Sequence, residues 1–378
     1  MKKSAHLDTL AVHAGRAVDP TTGAVAASPV LATTFERDAD GAMSRGFVYS
    51  RTESPNRAAL ETALATLEGG REALAFASGQ AATAAVLQAL APGARVVFPD
   101  DIYHGTRHLV KQEFGRWGIV ADFVDFSDLT AVTKALAQPT ALVWIETPSN
   151  PRLKIADIAA LALLGRAAGA LVVADNTWAT PLLTQPLALG AHIAMHSTTK
   201  YIGGHSDVLG GALIVGHDCP PETAARLRSW QKLGGAVPAP FDCWLLLRSL
   251  ATMPVRLRAQ SATAAKLAGF LAAHPRVERV NYPGLATHPG HAIAQRQMAS
   301  GGAMLSFEVR GDLAAARAVA GRVQLITRAT SLGGVESLLE HRKPIEGADS
   351  PTPDNLLRLS VGLEHIDDLI ADLQHALG

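Results

Sequence analysis

Ala191-His192-Ile193-Ala194-Met195-His196-Ser197-Thr198-Thr199-Lys200-Tyr201-Ile202-Gly203-Gly204 reads as a short buried strand that stops in a polar turn. The apolar part is 193–195. Hydroxyls, one lysine and two glycines follow it. The same pattern recurs on the N-terminal side. Apolar runs stand at 73–77, 95–98, 119–124, 141–145 and 171–174, and helix-like stretches at 81–90, 103–117, 129–136 and 158–168 separate most of them. Strands alternating with helices predict an α/β fold with a mostly parallel sheet covered on both faces. The runs end in Ser78, Asp100, Glu146, Asp175 and Ser197. Polar residues therefore collect at the sheet's carboxyl edge, where open α/β sheets bind ligands.

Three units are expected. Residues 1–45 have weak periodicity, broken by Pro20, Gly23, Pro29 and Gly41, and form an arm that packs on something else, such as a second subunit. Residues 46–245 form the large domain. Residues 246–378 form a smaller α+β domain, with a helix near 256–273, strands near 277–281, 303–309 and 356–361, and a closing helix at 366–377.

Composition narrows the function classes. The chain has 378 residues, 48% of them hydrophobic, enough for a large core. Lys plus Arg equals Asp plus Glu at 34 each, so nothing points to nucleic acid or an anionic membrane. Cys219 and Cys243 give neither a disulfide framework nor a zinc spacing, which fits a reducing compartment. The first residues carry two lysines but no apolar stretch after them, unlike a signal peptide. No run approaches the roughly 18 apolar residues of a membrane helix. A cytoplasmic location is expected. The pairs His104/His108 and His192/His196 lack the glutamate of a zinc-protease motif, and no metal site is expected.

Lys200 at a strand end, beside Ser197 and Thr199, suits an aldehyde cofactor carrying a phosphate. The amine can form a Schiff base while the hydroxyls bond the phosphate. A surface lysine in a glycine-rich loop is the plainer alternative. Asp175, 25 positions earlier, favours the cofactor, because pyridoxal phosphate needs a carboxylate at its ring nitrogen to act as an electron sink. A helix cap or metal ligand is the other use of such an acid. Ser78-Gly79-Gln80 opens a helix whose free N–H groups attract phosphate; an ordinary Ser cap is the alternative. Tyr103 can stack on a flat ring or serve only as packing. Tyr49 and Arg51 can clamp phosphate oxygens, across a subunit boundary if the arm reaches over a neighbour. Arg358 lies in an apolar strand pattern, where a guanidinium is costly unless a substrate carboxylate or a structural acid pairs with it.

Together these segments resemble the Cys/Met-metabolism family of pyridoxal-phosphate (PLP) enzymes. These are the fold type I, aspartate-aminotransferase-like relatives of cystathionine γ-synthase, cystathionine γ-lyase, cystathionine β-lyase and methionine γ-lyase. The matching segments are Tyr49-Ser50-Arg51, Ser78-Gly79-Gln80-Ala81, Glu146-Thr147-Pro148-Ser149-Asn150-Pro151, Asp175-Asn176-Thr177, His196-Ser197-x-Thr199-Lys200-Tyr201, Ser331-Leu332-Gly333-Gly334-Val335-Glu336-Ser337 and Arg358-Leu359-Ser360-Val361-Gly362. They run from about 49 to 362 in the family's order.

The resemblance implies that Lys200 holds the cofactor and moves protons, that Asp175 pairs with the ring nitrogen, and that Tyr103 stacks on the ring. It assigns the cofactor's grip to Ser78, Gly79, Gln80, Thr177, Ser197 and Thr199, with Tyr49 and Arg51 from a partner subunit. It assigns the amino-acid substrate to Arg358, Asn150 and Ser331. It also implies a homotetramer made of two active dimers.

Subtype marks are mixed. Thr330 stands where γ-synthases and γ-lyases commonly carry Glu, and Val48 replaces an acid seen in some synthases. Leu332 stands where some β-lyases carry Trp, and Tyr103-His104-Gly105-Thr106 lacks the Cys common in methionine γ-lyases. His341-Arg342-Lys343-Pro344 replaces a usual His-Pro and is expected to add positive charge on the substrate side. The expected activity is γ-elimination or γ-replacement on a sulfur-containing or O-acylated amino acid. The alternatives are β-lyase or methionine γ-lyase activity, or a γ-lyase for a substrate without sulfur. Further off stand a silent PLP-binding regulator and an aminotransferase.

Overall fold

The computed structural model describes residues 5–347 and 350–378. Seven strands build the first sheet: β1 (Glu72–Phe76), β2 (Arg95–Pro99), β3 (Val120–Val124), β4 (Leu142–Glu146), β5 (Leu171–Asp175), β6 (Ile193–His196) and β7 (Gly211–Val215), in the order β1-β7-β6-β5-β4-β2-β3. The pairs along β3, β2, β4, β5 and β6 are parallel, and β7 runs antiparallel to both β1 and β6. The six apolar runs read from the sequence correspond to β1 to β6. The sequence reading missed β7. It follows a glycine-rich loop with no helical crossover, so it must enter reversed, and its short run between glycines resembles the loop before it.

Each strand is apolar on both faces because each face is covered. In β4, Leu142 and Trp144 join one cluster with Leu74, Val96 and Leu213, while Val143 and Ile145 join another with Val97 and Val172. All of these are fully buried. Alternate residues feeding opposite cores is the pleat at work. The expected helix over 103–117 breaks into an α turn (His104–His108), a π turn (Leu109–Glu113) and a 3-10 turn (Phe114–Trp117), ending at Gly118 in the left-handed region (φ 77°). Irregular helix of this kind is common beside functional sites.

The second sheet contains β8 (Val277–Asn281), β9 (Met304–Val309), β10 (Thr327–Arg328), β11 (Leu338–His341) and β12 (Leu356–Ser360), in the order β10-β11-β12-β9-β8. Helices Met253–Ala273, Leu313–Arg322 and Ile366–Leu377 share a core with it through residues such as Leu267, Phe307, Leu357, Leu359 and Leu373. The sequence reading missed β10, β11 and the helices His291–Gln297 and Leu313–Arg322. The last is half alanine with two arginines, too weak in apolar periodicity to announce itself. Helix Pro240–Leu250 runs through residues 245 and 246, so the expected domain boundary there cuts a continuous element.

Part of the expected arm is docked. Helix Leu7–His13 places Ala11 against the helix Pro55–Glu68, in a cluster with Leu60 and Ala63. Beyond it the chain runs over the surface, with Val25 81% and Leu31 64% exposed. No helix among the described residues is long and apolar enough to cross a membrane.

Candidate active site

The carboxyl edge of the first sheet and the near edge of the second enclose one cavity. Its floor is made of strand ends. Ser78 follows β1 and caps the helix Gly79–Gln88, its Oγ accepting from the Ala81 N–H at 3.1 Å. Such a cap is worth about 1 kcal/mol, and the alanine-rich helix behind it has high intrinsic propensity. The first N–H groups of a helix have no intrahelical partner, so Gly79 and Gln80 present amides to the cavity. A Cβ on Gly79 would lie 2.9 Å from Ser197 Cβ, so only glycine lets these two backbones meet.

Asp175 ends β5 beside Glu146, its register partner at the end of β4. Asp175 accepts from the Thr177 N–H at 3.0 Å, and Thr177 Oγ1 accepts from the Ser197 N–H at 2.9 Å. Burial holds the Asp175 carboxyl above the usual carboxylate range. Glu146 is raised well above it by burial and then by Asp175, although the Tyr103 N–H donates to Glu146 Oε2 at 3.0 Å. Neither acid has a Lys or Arg partner among the described ion pairs. Two like charges this deep cannot both persist without a cation. Below this layer, Glu68 Oε1 accepts from Asn176 Nδ2 at 2.8 Å and lies 2.5 Å from His196 Nε2, fixing the residues on either side of Asp175 and Ser197.

Lys200 reaches across to the other wall, where its Nζ donates to Ser331 Oγ at 2.9 Å. Burial, then the neighbouring Arg358, lowers its ammonium to about 8. Ser331 holds a left-handed backbone (φ 81°), as does Gly333 (φ 81°), whose added Cβ would strike the Tyr201 N at 2.7 Å. A serine in that region is strained, a condition found chiefly at functional sites. The Ser331 carbonyl accepts from Arg358 Nη2 at 2.9 Å, and Asn150 Oδ1 accepts from Arg358 Nη1 at 3.0 Å. Ser331 thus bridges the lysine and the arginine. Tyr103 and Thr199 also line the cavity, and Thr199 Oγ1 is fixed by the Gly210 N–H at 3.1 Å.

Of the residues singled out in the sequence, Ser78, Gly79, Gln80, Tyr103, Asn150, Asp175, Thr177, Ser197, Thr199, Lys200, Ser331 and Arg358 meet in this cavity. Tyr49 and Arg51 do not line it. They lie on the surface, the Arg51 guanidinium 5.7 Å from the Tyr49 ring centroid and donating to the Lys232 carbonyl at 2.6 Å. The expectation of added positive charge from Arg342 also needs correction. Arg342 does reach the cavity wall, but its guanidinium sits between Glu340 and Glu346, which neutralise it. The sequence reading gave no role to Glu146, His104, Glu340 or Glu346. Glu146 was visible as a strand end; the others needed the fold.

Comparison with known proteins identifies the family. The family model for Cys/Met metabolism PLP-dependent enzymes matches residues 8–378. The chain belongs to that family. Its similarity to a cystathionine gamma-synthase of Mycobacterium tuberculosis is 49% identity over 98% of this chain and 96% of that one. A cystathionine beta-lyase of Coxiella burnetii is 44% identical, covering 99% of this chain and 98% of its own. The crystal structure of cystathionine gamma synthase from Xanthomonas oryzae pv. oryzae in complex with cystathionine superimposes with a TM-score of 0.95 at 41% identity, over 99% and 98% of the two chains. Similar identity to differently named enzymes shows the family and its PLP-fold architecture.

The residues fit the family's cofactor. Asp175 is a buried acid without an ion-pair partner among the described residues, as a protonated pyridine requires, and the Gly79 and Gln80 amides with Ser197 and Thr199 supply donors for a phosphate. The protein is a PLP-dependent enzyme of amino-acid metabolism.

Proposed function

We propose that this enzyme carries out γ-elimination or γ-replacement on a sulfur-containing or O-acylated amino acid. The reading rests chiefly on Ser331, which holds Lys200 and Arg358 to one residue, so the proton-moving amine and the carboxylate-binding guanidinium face one substrate. The SLGGVES segment and the synthase-named relative favour the γ carbon over the β carbon. Asp175 would hold the ring nitrogen of pyridoxal phosphate, Tyr103 would cover its ring, and Gly79, Gln80, Thr177, Ser197 and Thr199 would hold its phosphate end. When bound, the cofactor supplies an electron sink that acidifies the carbon next to the substrate nitrogen.

The chain's own groups do the rest. Arg358 and Asn150 orient the substrate carboxylate. Lys200 Nζ, neutral in a larger fraction than an ordinary lysine at neutral pH, is placed to take the Cα proton and then a proton from Cβ, so that the bond to the γ-substituent can break with its electron pair leaving on the substituent. Ser331 Oγ aims that amine.

Tyr49 and Arg51 are assigned to the phosphate site of a second copy, within a homotetramer of two active dimers. The exposed apolar residues of the arm, Val25 and Leu31, support such a contact. The division into arm, large and small domains is retained, with its second boundary moved to the turn at Ala251 and Thr252 between two helices. The cytoplasm is the expected location.

The test is product analysis of the purified PLP-loaded enzyme with L-cystathionine, L-methionine, L-homocysteine and an O-acylhomoserine. Formation of 2-oxobutanoate, or of a thioether when a thiol is added, is expected from at least one. Pyruvate from cystathionine, with no γ product from any substrate, would overturn the γ assignment in favour of β-elimination.

A further inference from the structure

Four charges, two buried arginines and two partly buried glutamates, alternate along the wall that would face the substrate carboxylate. Arg358 and Glu340 are direct partners across β12 and β11. One oxygen, Glu340 Oε2, accepts from Arg358 Nη2 at 2.8 Å and from Arg342 Nη1 at 2.6 Å. Arg342 Nη2 donates to Glu346 Oε1, one helical turn along, and lies 3.4 Å from His104 Nδ1. Arg342 is 1% exposed and Arg358 3%. The Nε of each is buried without a hydrogen-bond partner among the described residues. Arg358 lines the cavity, and its Nη1 spends one hydrogen on Asn150, which leaves a second to offer a ligand.

The charge count decides what Arg342 does. Two arginines against two glutamates make zero. Removing Arg342 leaves two glutamates against Arg358, a net charge of −1 where a substrate carboxylate must enter. Glu340 would also bond to Arg358 alone. In a low-dielectric wall such an imbalance is felt at full strength.

We propose that Arg342 is a positioning residue: by sharing Glu340 Oε2 with Arg358, it keeps the Arg358 guanidinium available to a substrate carboxylate. This rests on the reading of Arg358 as the carboxylate site. Arg342 stands within the segment that departs from the usual His-Pro, and Glu346, four residues on, neutralises its second nitrogen. The pair supports the binding arginine from the side, at the cavity wall, without touching the reacting atoms.

The test uses the PLP-loaded enzyme and its preferred amino acid. Arg342→Gln raises KM and the dissociation constant from absorbance titration on the order of tenfold or more, while kcat stays within about threefold because no transition-state contact is lost. Arg342→Lys recovers part of the affinity. The double variant Glu340→Gln with Arg342→Gln recovers more than the single, since the uncompensated charge is gone. An unchanged KM, a kcat that falls in step with kcat/KM, or a double variant weaker than the single would each overturn the proposal. Should Arg342→Gln fail to fold, Glu346→Gln gives the opposite sign: the wall gains a net +1 and KM does not rise, and a rise would overturn the proposal. Arg358→Gln, assayed with the amino acid and its amide, separates the two claims. If it still prefers the acid over the amide, the carboxylate-site reading itself fails. If that preference is lost while Arg342→Gln keeps a normal KM, only the positioning role fails.

Discussion

The two ends of the cavity are built differently. The cofactor end uses residues at the tips of strands in one sheet: Ser78, Gly79 and Gln80 after β1, Asp175 and Thr177 at β5, Ser197 to Lys200 after β6. Each is delivered by its own strand within a few residues. The substrate end uses pairs that meet across the whole chain. Arg358 bonds Asn150 from 208 positions away, and Arg342 approaches His104 from 238. Local pattern therefore reveals the cofactor, whereas substrate choice depends on buried charges whose partners only the fold brings together.

The largest effect that would break this comparison lies at the cofactor end. Asp175→Asn is expected to cost on the order of 10³-fold in kcat, the scale of losing a preorganised electrostatic partner, while the enzyme still takes up PLP. Turnover within a few-fold of wild type would remove Asp175 from the ring nitrogen. Subunit mixing comes next. Arg51→Ala and Lys200→Ala enzymes are each expected to be nearly inactive. Co-refolded, they regain measurable activity, because a mixed dimer assembles one site with both residues intact. No recovery would place Arg51 in its own chain's site or in none.

A smaller effect concerns Lys200. Its neutral amine is the reactive form, and burial lowers its ammonium to about 8. PLP uptake by the cofactor-free enzyme is expected to rise with pH through about 8 and then level off. A rise that continues toward the ordinary lysine value of 10.5 would contradict the burial argument. Ser331→Ala is the mildest. It removes the acceptor for Lys200 Nζ and is expected to slow turnover a few-fold, since a neutral hydrogen bond contributes about 1 kcal/mol. No change would show that Ser331 acts only through its carbonyl to Arg358.

Much of the first sheet was legible. Continuous Val, Ile, Leu and Ala runs ending in Ser, Asp or Glu announced buried parallel strands with a polar edge, and Ser78, Glu146, Asp175 and Ser197 at that edge line the cavity together, whereas Asp100 pairs with Lys154 outside it. β7 was not legible, because a reversed strand between glycines carries no helical crossover to mark it. Glu146 was visible as a strand end, but its repulsion with Asp175 depends on the β4–β5 register. Arg342 looked like surplus positive charge, since nothing in a sequence says that Glu340 and Glu346 turn inward beside it. Tyr49 and Arg51 carry the family's motif yet lie outside their own chain's cavity, and a single chain offers no second copy for them to meet.

Every role proposed for this cavity requires Lys200 to carry the cofactor. Borohydride reduction of the PLP-loaded enzyme, followed by proteolysis and peptide mass analysis, locates the cofactor on the chain. The predicted result is one modified peptide, containing Lys200, absent from Lys200→Ala. Label on another lysine, or none after PLP loading, would contradict the account.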